Sequence, residues 1–342
     1  MIEIMGEGTG SRVKIGTVSN LAVVKKRSTS VSEENVSQQG TPSDNAAETG
    51  TTWVDKVFYS PEERRLRAGW RLLVQFSLLA VFVVGVQFII RYFLYPEFPA
   101  LANYTYFLSQ GTILLGVMGS VFVARRILDN RSLRSLGLVL DGQAARDFGM
   151  GMLISLIMTG FVYLLQWALG WLRFDSFVWS VQITPAFVMF WFIFLAVFFL
   201  IAWQEELLFR GYWLTNLREG LNAYWGIGLT AVGYAALHLL NPNYSPQSLV
   251  LMGVMGAYLG FAMISSGNLW FPIGLHFGWK LFQGNIFGFR VGGLRAPGLI
   301  VNQLSGPELW TGGQTGPETG LVILPAILLS SFFVYLYTST ED

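Results

Sequence analysis

Histidine occurs twice in this chain of 342 residues, and only one lysine, Lys280, follows Lys56. Each of these positions therefore carries information. Both histidines and Lys280 lie in long apolar runs: His238 in Tyr234-Ala-Ala-Leu-His238, and His276 with Lys280 in His276-Phe-Gly-Trp-Lys280. A third polar group interrupts another such run, in Trp203-Gln-Glu-Glu-Leu-Leu-Phe-Arg210, with Glu205, Glu206 and Arg210. Ionisable groups at bilayer depth are costly, so each is first read as functional. Glu206 and Arg210 are four apart and share a helix face, as do His276 and Lys280.

Two carboxylates and two imidazoles in a site shielded from lipid suit hydrolysis of a carbonyl compound. A carboxylate can take a proton from water as general base. Neutral imidazoles can ligate a metal that acidifies that water. Arg210 can hold one carboxylate ionised while the other works. The single-helix H-E-x-x-H zinc signature is absent. The same residues also admit structural readings: an i,i+4 ion pair at Glu206 and Arg210, interhelical hydrogen bonds from the histidines, and a snorkelling lysine.

These groups need elements to position them. Apolar residues make up 53% of the chain and charged residues only 13%, with a mean hydropathy of +0.49 and a net charge of +1. This balance excludes a disordered chain, a coiled coil and a nucleic-acid binder. Cysteine is absent, so there is no disulfide framework and no thiol nucleophile. About 20 apolar residues span a bilayer as helix. Eight runs are predicted to do so, at Trp70–Ile90, Tyr106–Val123, Phe148–Leu169, Pro185–Leu214, Ala223–Leu240, Ser248–Ile264, Leu269–Phe287 and Leu321–Tyr337. The expected fold is an all-α polytopic bundle of about eight transmembrane helices in a lipid bilayer. Arginines cluster at Arg64–Arg71, Arg125–Arg146, Arg210 and Arg218, against Arg91, Arg173, Arg290 and Arg295 on the other side. That asymmetry places both termini in the cytoplasm and the protein in the plasma membrane as a multi-pass chain. Residues 1–66, rich in Ser, Thr, Gln and Gly, read as a disordered extramembrane tail, and 67–342 as the membrane domain. Small residues at Gly253, Gly256, Ala257 and Gly260, and at Gly274 and Gly278, read as close helix packing.

The fourth and fifth runs meet near Gly220–Asn222, with Glu205 and His238 nearly equidistant from the turn. In an antiparallel hairpin the two lie at equal depth and face each other. The three clusters converge only if tertiary packing brings them together.

At these residues the chain resembles the CPBP family (CAAX prenyl endopeptidase and bacteriocin-processing, or Abi) of intramembrane metalloproteases. Its first motif, Glu-Glu-x-x-x-Arg, is met by Glu205, Glu206 and Arg210. Its second, Phe-x-x-x-His, is met by His238, with Tyr234 in place of the phenylalanine. Its third, His-x-x-x-Asn or Asp, is met by His276, with Lys280 in the last place. The resemblance places a protease core at about 184–290 and implies an endopeptidase acting near the cytoplasmic leaflet on a membrane-embedded or membrane-associated peptide. It implies that Glu205 activates the water, Glu206 and Arg210 support it, and His238 and His276 orient the water or bind a divalent metal such as Zn2+. Lys280 takes the place of the oxyanion donor. Two alternatives stay open: a catalytically degenerate scaffold or immunity protein on the same fold, and a transporter using the cluster as a proton relay.

Overall fold

The computed structural model describes residues 53–60, 65–181, 183–240 and 245–340. The fold is all-α and polytopic, and the protein is an integral membrane protein. It opens with a short helix α1 (Trp53–Phe58) and two paired two-residue strands, β1 (Tyr59–Ser60) and β2 (Arg65–Leu66). The main helices follow: α2 (Ala68–Ile89), α3 (Thr105–Val123), α4 (Gly142–Ala168), α5 (Pro185–Glu206), α6 (Leu214–Gly220), α7 (Ala223–Leu237), α8 (Pro246–Ser266), α9 (Trp270–Lys280) and α10 (Ile323–Ser339). Continuous helical stretches at Ala68–Glu97, Thr105–Leu128, Gly142–Ala168, Pro185–Gly220 and Pro246–Ser266 are long and apolar enough to cross a membrane. The other three expected runs fold as shorter helices, α7, α9 and α10.

Local chemistry sets the helix starts. The Asp141 carboxylate accepts from Ala144 N at 2.8 Å before α4. The Asn222 side chain accepts from Trp225 N at 3.0 Å before α7. Thr184 caps α5 and Ser245 caps α8, each followed by a proline whose missing N–H costs nothing there. Gly267, at φ +64°, ends α8 in the left-handed conformation that glycine adopts without strain.

The tail expected over 1–66 lies largely outside the described residues. Its described part is structured: residues 53–60 and 65–66 form α1, β1 and β2. Arg65 is buried, with Nη2 2.6 Å from Glu219 Oε2 and Nη1 3.8 Å from Asp129 Oδ1. The same Asp129 carboxylate takes Arg71 at 2.9 Å and Arg125 at 2.8 Å. This charge cluster ties the start of α2 to the ends of α3 and α6, which is why the folded domain begins before residue 67.

Two hydrophobic clusters form the core. The larger runs through α3, α4, α8, α9 and α10, with the segment after Glu206; the smaller joins α5 to α9 and the loop beyond it. On the side opposite the start of α2, β3 (Leu172–Phe177) pairs antiparallel with β6 (Ile300–Leu304). A small hairpin, β4 (Arg290–Val291) with β5 (Leu294–Arg295), lies between α9 and β6.

Candidate active site

Glu206, His238 and Lys280 sit where regular helices end, and Arg210 lies in the segment that follows one. α5 stops at Glu206 and continues as a π-helical segment, Leu207–Trp213. α7 stops at Leu237, and His238 opens a single 3-10 turn. α9 stops at Lys280 and continues as a second π segment, Leu281–Ile286. Such irregularities are uncommon inside helices and concentrate at functional sites.

Glycines bring these ends together. A Cβ on Gly274 would lie 2.3 Å from the Phe148 carbonyl oxygen, and one on Gly151 2.6 Å from that of Phe271. α4 and α9 therefore touch backbone to backbone, and the Ser155 hydroxyl donates to Leu275 O at 2.5 Å, one residue before His276. A Cβ on Gly256 would lie 3.0 Å from Ala231 Cα. That approach of α8 to α7 brings the Gly256 carbonyl within 2.9 Å of Arg210 Nη2. The small-residue stripe of α8 thus serves internal packing, as its spacing suggested.

Glu206 is wholly buried, and its Oε1 accepts from Arg210 Nη1 at 3.1 Å and from His276 Nδ1 at 2.7 Å. The Arg210 guanidinium also lies 4.6 Å from the centre of the Tyr234 ring, a cation–π contact. The tyrosine in place of the family phenylalanine keeps that aromatic face. With Nδ1 donating to the carboxylate, His276 turns Nε2 toward Glu205, 3.7 Å from Oε2. That separation is too long for a direct hydrogen bond, but a water oxygen can touch both atoms at about 2.8 Å. Glu205 Oε2 is buried and has no hydrogen-bond partner among the described residues. The His238 Nδ1 lies 2.8 Å from Tyr234 O. A carbonyl oxygen only accepts, so Nδ1 carries the proton and Nε2 keeps its lone pair.

Two cavities meet at this cluster. One, of about 60 Å³, is lined by His238, His276, Lys280 and Glu318. The other, of about 480 Å³, is lined by Glu205, His238 and Lys280 together with Tyr106, Gln110 and Gln204. Val291 and Gly292 of the β4–β5 hairpin line both. Lys280 makes no ion pair among the described residues, and its charge acts on Glu206, His238 and His276. All six sequence-derived residues are therefore gathered in one region. Glu205 and His238 line the same cavity. The smaller cavity is also walled by Gly292, Thr315, Glu318 and Thr319, from the segment between α9 and α10.

Gln110, Gln204 and Glu318 were missed by the sequence reading. Gln204 stands directly before Glu205 and Glu206, and Gln110 lies between Ser109 and Thr112, so only the adjacency of Gln204 to the first motif was a signal. Glu318 lies in a glycine-rich loop with no such signal. Gly316 next to it, at φ +130°, is within 2.4 Å of the Glu318 carboxylate at its would-be Cβ, so only glycine fits there.

The resemblance implies a divalent metal on His238 and His276. The imidazoles have suitable free nitrogens, but among the described residues no three His, Asp or Glu side chains group closely enough to hold an ion. A cation there would also face Lys280. No step below runs through a metal.

Residues 187–282 match the family model for Rce1-like proteins, described as type II CAAX prenyl endopeptidase Rce1-like. This segment holds all six motif residues, and its similarity to the family supports a CAAX-type intramembrane protease fold. No curated protein and no solved structure matches the chain.

Proposed function

We propose that the Rce1-like segment is an intramembrane endopeptidase in which Glu205 activates the attacking water. The observation that carries this reading is the buried Glu205 Oε2, which lacks a hydrogen-bond partner among the described residues and lies 3.7 Å from His276 Nε2. Two proton acceptors facing each other call for a shared donor, and water supplies two protons. Glu206 holds His276 in the orientation that presents Nε2, and Arg210 holds Glu206 in turn.

In this mechanism Glu205 takes one proton as the water oxygen attacks the peptide carbonyl carbon. The resulting oxyanion is stabilised by the Lys280 cation, which stands where the family pattern has Asn or Asp. A preorganised charge in a water-poor site strongly favours such a developing anion. The C–N bond then breaks, and the proton held by Glu205 passes to the leaving nitrogen. A new carboxyl group and a new amine are the products.

The test is cleavage of a membrane-reconstituted peptide library, read by product mass. Glu205→Gln keeps shape and removes the proton acceptor, so turnover is expected to fall about 100-fold or more. Lys280→Asn is expected to lower activity, because the cation is lost from the oxyanion position. Cleavage that persists undiminished in Glu205→Gln would falsify the mechanism. Activity that rises in Lys280→Asn would mark the lysine as a lesion in a decayed site.

A further inference from the structure

The larger cavity has mostly apolar walls, with one polar strip beside Glu205. Two amide side chains form it. Gln204 Nε2 donates to Gln110 Oε1 at 2.9 Å across the α5–α3 contact. Gln204 is 4% exposed, and its Oε1 is buried without a hydrogen-bond partner among the described residues. Gln110, which is half-buried, carries the other end of the strip. A buried amide oxygen left unpaired carries a real desolvation cost, so a native structure holding one invites a missing donor.

We propose that Gln204 and Gln110 bind the backbone of the substrate peptide next to the bond that Glu205 attacks. The inference rests on the endopeptidase reading above and adds to it a positioning pair for the main chain. Joined by one N–H···O bond, the two amides keep the Gln204 carbonyl as an acceptor and the Gln110 amide as a donor beside the cavity that both residues line. That matches the outward N–H and C=O of one residue along the edge of a β-strand. Exchanging oxygen and nitrogen in both amides keeps one acceptor and one donor but moves the acceptor to Gln110, an arrangement that the Gln110→Met variant reads.

The need for such a pair follows from where the reaction takes place. A transmembrane substrate has its N–H and C=O groups satisfied within its own helix. To expose a peptide carbonyl to attack, several residues around it must unwind. The freed backbone groups then find no partner in hydrocarbon, and each unsatisfied group is costly. An acceptor and a donor waiting beside the general base offset part of that cost only when the substrate is extended. They therefore favour the cleavable conformation over the helical one. Because they read backbone rather than side chains, they tolerate many sequences.

The experiment is a double cycle between protein and peptide. The peptide best cleaved by the full-length wild-type chain in liposomes is resynthesised with a single N-methyl group at each amide flanking the cut. Wild type is expected to lose about tenfold or more in kcat/KM at one particular amide, the one that donates to Gln204. Gln204→Met, of similar length, should lose a similar factor on the unmethylated peptide and then be indifferent to methylation at that amide. A role for Gln204 confined to helix packing would lower activity but leave the sensitivity to methylation intact, and that result would overturn the proposal. So would a wild type that tolerates N-methylation at every flanking position. Should Gln204→Met fail to fold, the wild-type methylation scan decides, and Gln110→Met repeats the cycle from the other side of the pair. A wild type that cleaves no peptide removes the endopeptidase reading and this pair with it. Cleavage without any coupling removes the pair alone.

Discussion

Glu206 has no direct line to the attacking water, yet it is the most enclosed charge in the site. Its one bonded oxygen holds both Arg210 and His276, so the three residues behave as a unit. Arg210→Met would leave a buried carboxylate without its counter-charge, and removing one partner of a buried pair costs about 3–5 kcal/mol. The variant is expected to melt well below wild type in detergent. Glu206→Gln with Arg210→Met should recover part of that loss, because the cost lies in the orphaned charge and the two effects do not add. Simple additivity in thermal melts would show that the pair is not coupled. At this scale the sequence was informative where local geometry decides. Four-residue spacing on one helix gave the Glu206–Arg210 pair, and counting from the turn put Glu205 together with His238, which line one cavity. His276 could not be placed that way. Its approach depends on α4 and α9 touching at Gly151 and Gly274, a tertiary contact that no count along one helix reveals.

At the scale of elements, the eight apolar runs were legible because hydrocarbon thickness demands them. Their interruptions were not. The π segments after Glu206 and Lys280 and the early stop of α7 at Leu237 arise where packing overrides the α-helical register, and composition gives no sign of them. The loop from 287 to 322 was equally hidden, because it was read only as a connection between runs. It folds into β4, β5 and β6, and it carries Glu318 to the wall of the smaller cavity. Glu318 Oε1 accepts from Gly292 N at 2.5 Å, and Oε2 accepts from Gln283 Nε2. Burial raises its pKa above the ordinary glutamate value of 4.5, more than these hydrogen bonds and the Lys280 charge lower it. The native state therefore binds this proton more tightly than the unfolded chain. Its contribution to stability is present below the ordinary value and is lost as pH rises through the raised one. Thermal melts in detergent across that range should show wild type losing more stability than Glu318→Gln, which has no carboxyl proton to release. Equal pH slopes for the two would contradict the assignment.

At the scale of the whole molecule, the arginine asymmetry predicts which way the bundle faces. Five helical passages separate Arg131 from Gly313, through α4, the α5–α6 stretch, α7, α8 and α9, so the two positions must lie on opposite sides. Reporter fusions after Arg131 are expected to read cytoplasmic and fusions after Gly313 external; the reverse at both would overturn the orientation. One feature of the bundle also bears on the membrane around it. α7 has only 15 residues, about 22 Å of helix at 1.5 Å per residue, against a hydrocarbon layer of about 30 Å. It nonetheless lies at the periphery, with Tyr224 88%, Trp225 62% and Val232 68% exposed. Lipids beside it must compress or tilt to meet it, at a cost that grows with each ångström of mismatch. The bilayer is therefore expected to thin beside α7, the helix that ends at His238. A substrate helix drifting into that dimple has one end nearer to water, where its unwinding is cheaper. On the endopeptidase reading, turnover should accordingly be faster in short-chain than in long-chain phosphatidylcholine; equal rates in the two would show that local thinning plays no part.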